Sequence, residues 1–226
     1  DTEDKKISLS FDVAWGSNNI DDILDIIEEE TTEDIEKMAA ITPSDKIYIR
    51  TGVFETFKKR IPWLLLLMVS ATFTGKIITH FEDALSTYVV LTAFIPMLMD
   101  TGGNAGSQAS VSVIRSLSLD EIEYKDTLKV IWKEFRVSLL CGITLAVANY
   151  IKLITIDSVQ MNIALIVCIT LVVTVCVAKL IGSSLPILAK KIGFDPAVMA
   201  SPFITTIVDA CSLLIYFRIA NLLLGI

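Results

Sequence analysis

Five apolar runs, over residues 61–79, 88–117, 136–156, 162–185 and 197–224, set the strongest limit on what this chain can become. A helix needs about 20 mostly apolar residues to cross a bilayer, and each run supplies that length or nearly so. Apolar residues make up 53% of the 226 positions, more than a soluble domain of this size carries. The fold class predicted is therefore an all-α integral membrane protein, with five spans behind an N-terminal cytoplasmic amphipathic helix.

The formal charge of −7 joins two unlike parts, because residues 1–45 carry fourteen acidic side chains against three lysines and the rest of the chain is net positive. An acidic segment beside a mildly basic membrane segment argues against a nucleic-acid partner and suits an encounter with cations. Residues 20–40, IDDILDIIEEETTEDIEKMAA, set Ile20, Ile23, Leu24, Ile26 and Ile27 on one helical face and most of the acids on the other. The TPSD stretch at 42–45 then breaks the pattern, and Pro62 suits the first turn of the first span. Residues 1–19 receive no assignment, 20–60 read as a cytoplasmic acidic helix with its connecting segment, and 61–226 as the membrane domain.

Topology follows from the basic residues. Lys58, Lys59 and Arg60 precede the first span, Lys125, Lys129, Lys133 and Arg136 lie between the second and third, and Lys190 and Lys191 between the fourth and fifth. These segments are assigned to the cytoplasm. The opposite side holds Lys76 and Lys152, so the C-terminus is expected outside. No basic flank, short apolar stretch and cleavage site mark a signal peptide at the start, which keeps the N-terminus inside. Cys141, Cys168, Cys176 and Cys211 sit in apolar runs without CxxC spacing and read as small core residues. His80 reads as an interfacial residue, Lys179 as a snorkelling one and Arg115 as a cytoplasmic anchor.

The stretch DTGGNAGSQAS at 100–110 is the polar exception in the second span. Asp100, Asn104 and Gln108 recur every four residues on one face, with Arg115 further along it. Gly102 and Gly106 form a small-xxx-small pair that lets another helix approach. In the fifth span Ser201, Thr205, Asp209 and Ser212 share a face that Tyr216 extends. Asp209 lies roughly 18 Å into that span, near mid-bilayer, and Asn104 comes to a similar depth. A central carboxylate costs about 2.5 to 3.5 kcal/mol to insert, so it pairs, protonates or meets water and cations.

A carboxylate ringed by amides and hydroxyls does not suit soft metals, which ask for Cys or His. Mg²⁺ keeps several waters and is held through one or two carboxylates, whereas Ca²⁺ prefers six to eight direct oxygens. Residue types alone thus indicate a hard divalent cation without selecting among them. Packing of the glycines and interhelical hydrogen bonding by Asn104 and Gln108 are the structural alternatives. An aspartyl protease built on Asp100 and Asp209 is disfavoured, because the Asp-Thr-Gly string continues an apolar helix and no GxGD string occurs; no enzyme activity is expected.

Two motifs, PMLMDTGGNAGSQAS at 96–110 and GFDPAVMASPFITTIVDACSLLIYF at 193–217, closely resemble the MgtE family of bacterial magnesium transporters. The likeness covers residues 21–226, with the acidic segment similar to the end of that family's CBS domain and its connecting helix. The resemblance implies a homodimer of five-helix subunits in the bacterial plasma membrane, with the second and fifth helices of both subunits enclosing a pore. It implies that Asp209 holds a largely hydrated Mg²⁺, that Thr205, Ser201 and Asn104 serve the water shell, and that Asp100, Gly103, Gln108, Thr206 and Ser212 line the passage. It further implies a second Mg²⁺ between Asp195 and Glu33 or Asp34, favouring closure when internal Mg²⁺ is high. The family's upstream domain and most of its CBS region are expected to be absent from this sequence. Asp100, Lys179 and Ser212 depart from the family's common residues. A magnesium-selective channel is the function expected, and a proton- or Na⁺-coupled divalent cation transporter is the alternative.

Overall fold

Long apolar runs produce long helices here, and their flanks extend those helices beyond the apolar limits. The computed structural model describes residues 17–44, 48–199 and 201–225; the first sixteen residues of the unassigned segment 1–19, and residues 45–47, 200 and 226, lie outside the described residues. Every described element is helical. These are α1 (Ser17–Met38), α2 (Val53–His80), α3 (Glu82–Thr87), α4 (Ile95–Ser118), α5 (Thr127–Thr155), α6 (Met161–Lys191) and α7 (Ser201–Leu224), with short 3-10 turns at Tyr48–Arg50, Val89–Phe94, Tyr124–Asp126 and Pro196–Met199.

The acidic amphipathic segment forms α1 and stops where the sequence changes character. Ala40 takes a left-handed φ of 56°, and Ile41 N–H reaches Glu36 O at 2.9 Å while Ala40 N–H reaches Lys37 O at 2.9 Å, the paired bonds of a Schellman closure. Pro62 is not in the first turn as expected. It lies inside α2, which begins at Val53, because the charged segment FETFKKR continues the helix outward. The missing N–H of Pro62 frees the Lys58 carbonyl, close to the end where water can satisfy it. The second apolar run likewise opens as the 3-10 turn Val89–Phe94 before α4 proper.

Four helices, Val53–His80, Tyr124–Thr155 with its 3-10 lead, Met161–Lys191 and Pro202–Leu224, are long and apolar enough to cross a membrane. Helix α4 has 24 residues, roughly 36 Å of rise, but its glycines, amides and Asp100 lower its hydropathy. It is instead enclosed by protein on two sides, lying between α6 and α7. Helix α5 packs on α6, and α2 on α7. Leu98, Leu153, Val167, Leu171, Val208 and Phe217 are central to the core. Outward-facing positions are apolar as well, among them Leu64, Met68 and Phe73 on α2 and Leu140 and Val147 on α5, while Ser110, Ser138, Thr170 and Thr174 are buried. Apolar outside with polar groups inside is the pattern lipid selects, and the chain is a membrane protein.

Helices α4 and α6 run parallel with their C-termini together. Lys190 Nζ donates to Leu117 O at 2.8 Å and to an Asp120 carboxylate oxygen at 3.2 Å, and Lys191 donates to the Tyr124 hydroxyl at 2.7 Å. The charged end of α6 therefore ties this face of the bundle together. At the same end Met38 of α1 packs against buried Ile114 and Ala197, which seats α1 against α4 and the turn that leads into α7.

Candidate functional site

Glycine determines how closely α4 meets its neighbours. A Cβ on Gly102 would lie 2.9 Å from Ser212 Oγ and 2.8 Å from Thr174 Cγ2, and one on Gly106 would lie 2.9 Å from Ile204 Cγ2 and 3.1 Å from Ala178 O. Each glycine thus admits α6 on one side and α7 on the other, α7 running antiparallel. Gly182 is the extreme case, since its Cβ would stand 2.1 Å from Gly106 O. Only a hydrogen fits between these two backbones, so any side chain there forces the helices apart.

Gly103 faces the polar part of α7. A Cβ on it would lie 3.1 Å from Thr205 Cγ2 and 3.8 Å from Asp209 Oδ1. Asp209, Thr205 and Thr206 are half-buried, at the margin between the packed α4–α7 seam and the open side of the bundle. Asp100 stands one turn before Gly103 on α4. Among the described residues no three His, Cys, Asp or Glu side chains converge on one point.

The hydroxyls here have a defined polarity. Thr205 Oγ1 and Thr206 Oγ1 each donate to Pro202 O at 3.0 Å. Their hydrogens are thereby engaged within the first turn of α7, and their lone pairs remain as acceptors. A hydrated metal ion offers only O–H donors to its surroundings. Threonines with committed hydrogens beside a carboxylate are complementary to that donor shell and not to a bare anion.

The two sequence stripes divide when folded. Ser212 is buried, donating to Val208 O at 2.6 Å, and Tyr216 is buried with its hydroxyl donating to Leu91 O at 2.9 Å, so the lower part of the α7 stripe ties α7 to the turn before α4. Ser201 opens α7, and its side chain lies outside the described residues. On α4, Asp100, Asn104 and Gln108 are exposed and face away from the α7 seam. Asn104 and Gln108 line two adjoining cavities of about 770 and 500 Å³ between α4, α5 and α6, and Asp100 lines the smaller. Arg115 is exposed on α4.

The structure corrects the sequence reading of Lys179. It is 5% exposed and lines both cavities, and does not snorkel to an interface. The reason is helix length: α6 continues to Lys191, so Lys179 stands twelve residues from the helix end, roughly 18 Å, beyond the reach of its own side chain.

A second polar cluster forms at the α1 end. Lys37 Nζ lies 2.6 Å from Glu33 Oε1 and 2.6 Å from Asp195 Oδ2, while Asp195 Oδ1 accepts the Ala197 N–H at 2.9 Å and so fixes the turn before α7. Burial, followed by the charge of Asp195, holds the Asp34 carboxyl above the usual 3.8. Lys37 is desolvated, which opposes its charge, yet its bonds to Asp195 and Glu33 raise it above the usual 10.5. Glu33 and Asp195 are thus joined through Lys37, a lysine that sequence reasoning missed, and Asp34 lies within the field of Asp195. The i+4 spacing of Lys37 from Glu33 was the available signal.

The Asp34 shift has a sign that can be tested. A carboxyl raised in the docked state favours the protonated form, so its contribution to docking is complete below its ordinary 3.8 and declines as pH rises through the raised value. Spin labels on α1 and on the turn Pro196–Met199 are therefore expected to report a population shifting from short to longer distances across that window in chelator. An unchanged distribution would show that Asp34 is not strained by docking.

The family model of MgtE, described as a divalent cation transporter, matches residues 95–219, which takes in α4, α5 and α6 and all of α7 but its last five residues. The chain belongs to the MgtE family. It is 35% identical over 209 residues to the magnesium transporter MgtE of Thermus thermophilus, covering 92% of this chain and 46% of that protein. It is 38% identical over 213 residues to the magnesium transporter MgtE of Bacillus subtilis and 32% identical over 213 to that of Enterococcus faecalis. The chain spans a little under half the length of these MgtE relatives. The MgtE match includes the glycine seam, Asp209, and both threonines that precede it.

Proposed function

We propose that this chain is the membrane portion of a magnesium transporter, carrying largely hydrated Mg²⁺ through a passage on which Asp209 stands. Helices α2, α4, α5, α6 and α7 cross the plasma membrane, with α1 cytoplasmic and the C-terminus outside. Two copies related by a two-fold axis contribute α4 and α7 to one passage, an isologous arrangement that brings both Asp209 carboxylates toward the axis. Asp209 attracts the ion, Thr205, Thr206 and Ser201 accept hydrogen bonds from its waters, and Asn104 with Gln108 continues the polar wall. Loose outer-shell binding allows release, which conduction requires. Glu33, Asp34 and Asp195 form a regulatory cation site at the cytoplasmic mouth, and no chemical conversion is involved.

One observation carries this reading: a mid-helix carboxylate flanked by hydroxyls whose hydrogens are already committed, opposite a glycine that leaves room. Purified protein in liposomes holding a Mg²⁺-sensitive dye tests it. Mg²⁺ entry down its own gradient, with no proton or Na⁺ gradient, is the expected result. Entry that appears only when one of those gradients is imposed would instead establish a coupled transporter using the same carboxylate.

A further inference from the structure

Lys179 is the most deeply buried cation described in the bundle, and its surroundings do not explain it by packing alone. The residue as a whole is 5% exposed, with its ammonium open to the two cavities it lines and tied to no described side chain. An ionisable group kept inside a membrane bundle is costly and characteristically faces a partner or a water-filled cavity there. The contacts of Thr174 with Gly102 and of Ala178 with Gly106 put Lys179 level with the middle of α4. Helical side chains lean toward the N-terminus, so its stem runs back toward Asn104 and Asp100. All three line the 500 Å³ cavity.

Asp100 connects that cavity to the ion path, because it lines the cavity and stands one turn before Gly103 on α4, the residue whose Cβ position is 3.8 Å from Asp209 Oδ1. We propose that Lys179 is a specificity-determining residue: a tethered cation that offsets Asp100 across the cavity, leaving Asp209 as the uncompensated charge that sets cation affinity. The inference rests on the reading of Asp209 as the permeation site. Without the lysine, two carboxylates would act on the ion together, and a divalent ion would be held longer and released more slowly. Polar groups that share the cavity, Asn104, Gln108 and Thr144, allow water to carry the field between the two charges.

The experiment measures Mg²⁺ uptake against Mg²⁺ concentration in liposomes for Lys179→Met, Lys179→Arg, Asp100→Asn and the Lys179→Met/Asp100→Asn pair. A unit charge roughly 12 Å from a divalent ion in a water-like medium changes its affinity about threefold. Lys179→Met is expected to lower the half-saturating concentration by about that factor and Asp100→Asn to raise it by about as much. The double variant returns to wild type and Lys179→Arg stays there. Because Lys179→Met could disturb folding, Lys179→Arg and the return in the double variant act as the internal standard. Asp209-dependent uptake with all four curves coincident, or a double variant that adds two losses, overturns this proposal alone. Absence of Asp209-dependent uptake in wild type overturns both it and the transport reading.

Discussion

Replacing Asp209 with Asn is expected to reduce Mg²⁺ uptake by at least about 20-fold while the protein remains folded. A divalent ion that keeps its waters stands about 4.5 Å from a carboxylate oxygen. Even at the dielectric of bulk water, the attraction to one unit charge at that distance is about 1.8 kcal/mol. That is the source of the 20-fold figure, and a membrane interior strengthens it. The same charge removal costs a monovalent ion half as much free energy, so the loss for Na⁺ should be near the square root, about 4- to 5-fold. Uptake of both ions by Asp209→Asn and Asp209→Ala liposomes checks this. Equal losses for Mg²⁺ and Na⁺, or none for Asn, would mean that Asp209 acts through hydrogen bonding or shape and not through charge.

Lys37→Met is expected to turn the contact of α1 with the turn Pro196–Met199 from one that stands without metal into one that needs it. Lys37 bridges Glu33 and Asp195 at 2.6 Å each, and Asp34 already feels the charge of Asp195. Removing the ammonium leaves Glu33 and Asp195 without the cation that joins them, with Asp34 still in the field of Asp195. The groups are partly exposed, which moderates the effect; about a tenfold loss of docked population in chelator is a reasonable scale for a charge network of this kind. Millimolar Mg²⁺ then takes the place of the ammonium and restores docking. Protease cleavage in the segment between α1 and α2, followed with and without Mg²⁺, reads the outcome. Equal protection of Lys37→Met and wild type in chelator would show that apolar contact through Met38, Ile114 and Ala197 holds α1 unaided.

The helices were legible in the sequence because lipid asks little more of a segment than length and apolar character. Their ends were less so. Pro62 marked a start in the sequence, yet α2 begins at Val53, since a charged amphipathic flank can stay helical in water beyond the apolar limit. The site was legible in part. Periodicity identified Asp209 and Thr205 on one face, and the glycine pair as a contact surface, as the close approaches at Gly102 and Gly106 now describe. It set Asn104 level with Asp209, but the residue that meets Thr205 and Asp209 is Gly103, one position away and a third of a turn around. Polar periodicity follows side chains, and the approach here is made where a side chain is lacking. Lys179 was misread because its meaning depends on where α6 ends, and the run of apolar residues stops two turns before the helix does.

The backbone contact between Gly106 and Gly182 bears on how such a passage could open. Two rods touching main chain to main chain cannot slide or roll past one another without a collision at that point, and the lysine tie at their shared end resists splaying. Helices α4 and α6 therefore travel as one body. A rearrangement of this bundle would leave that pair intact and fall on the elements packed around it.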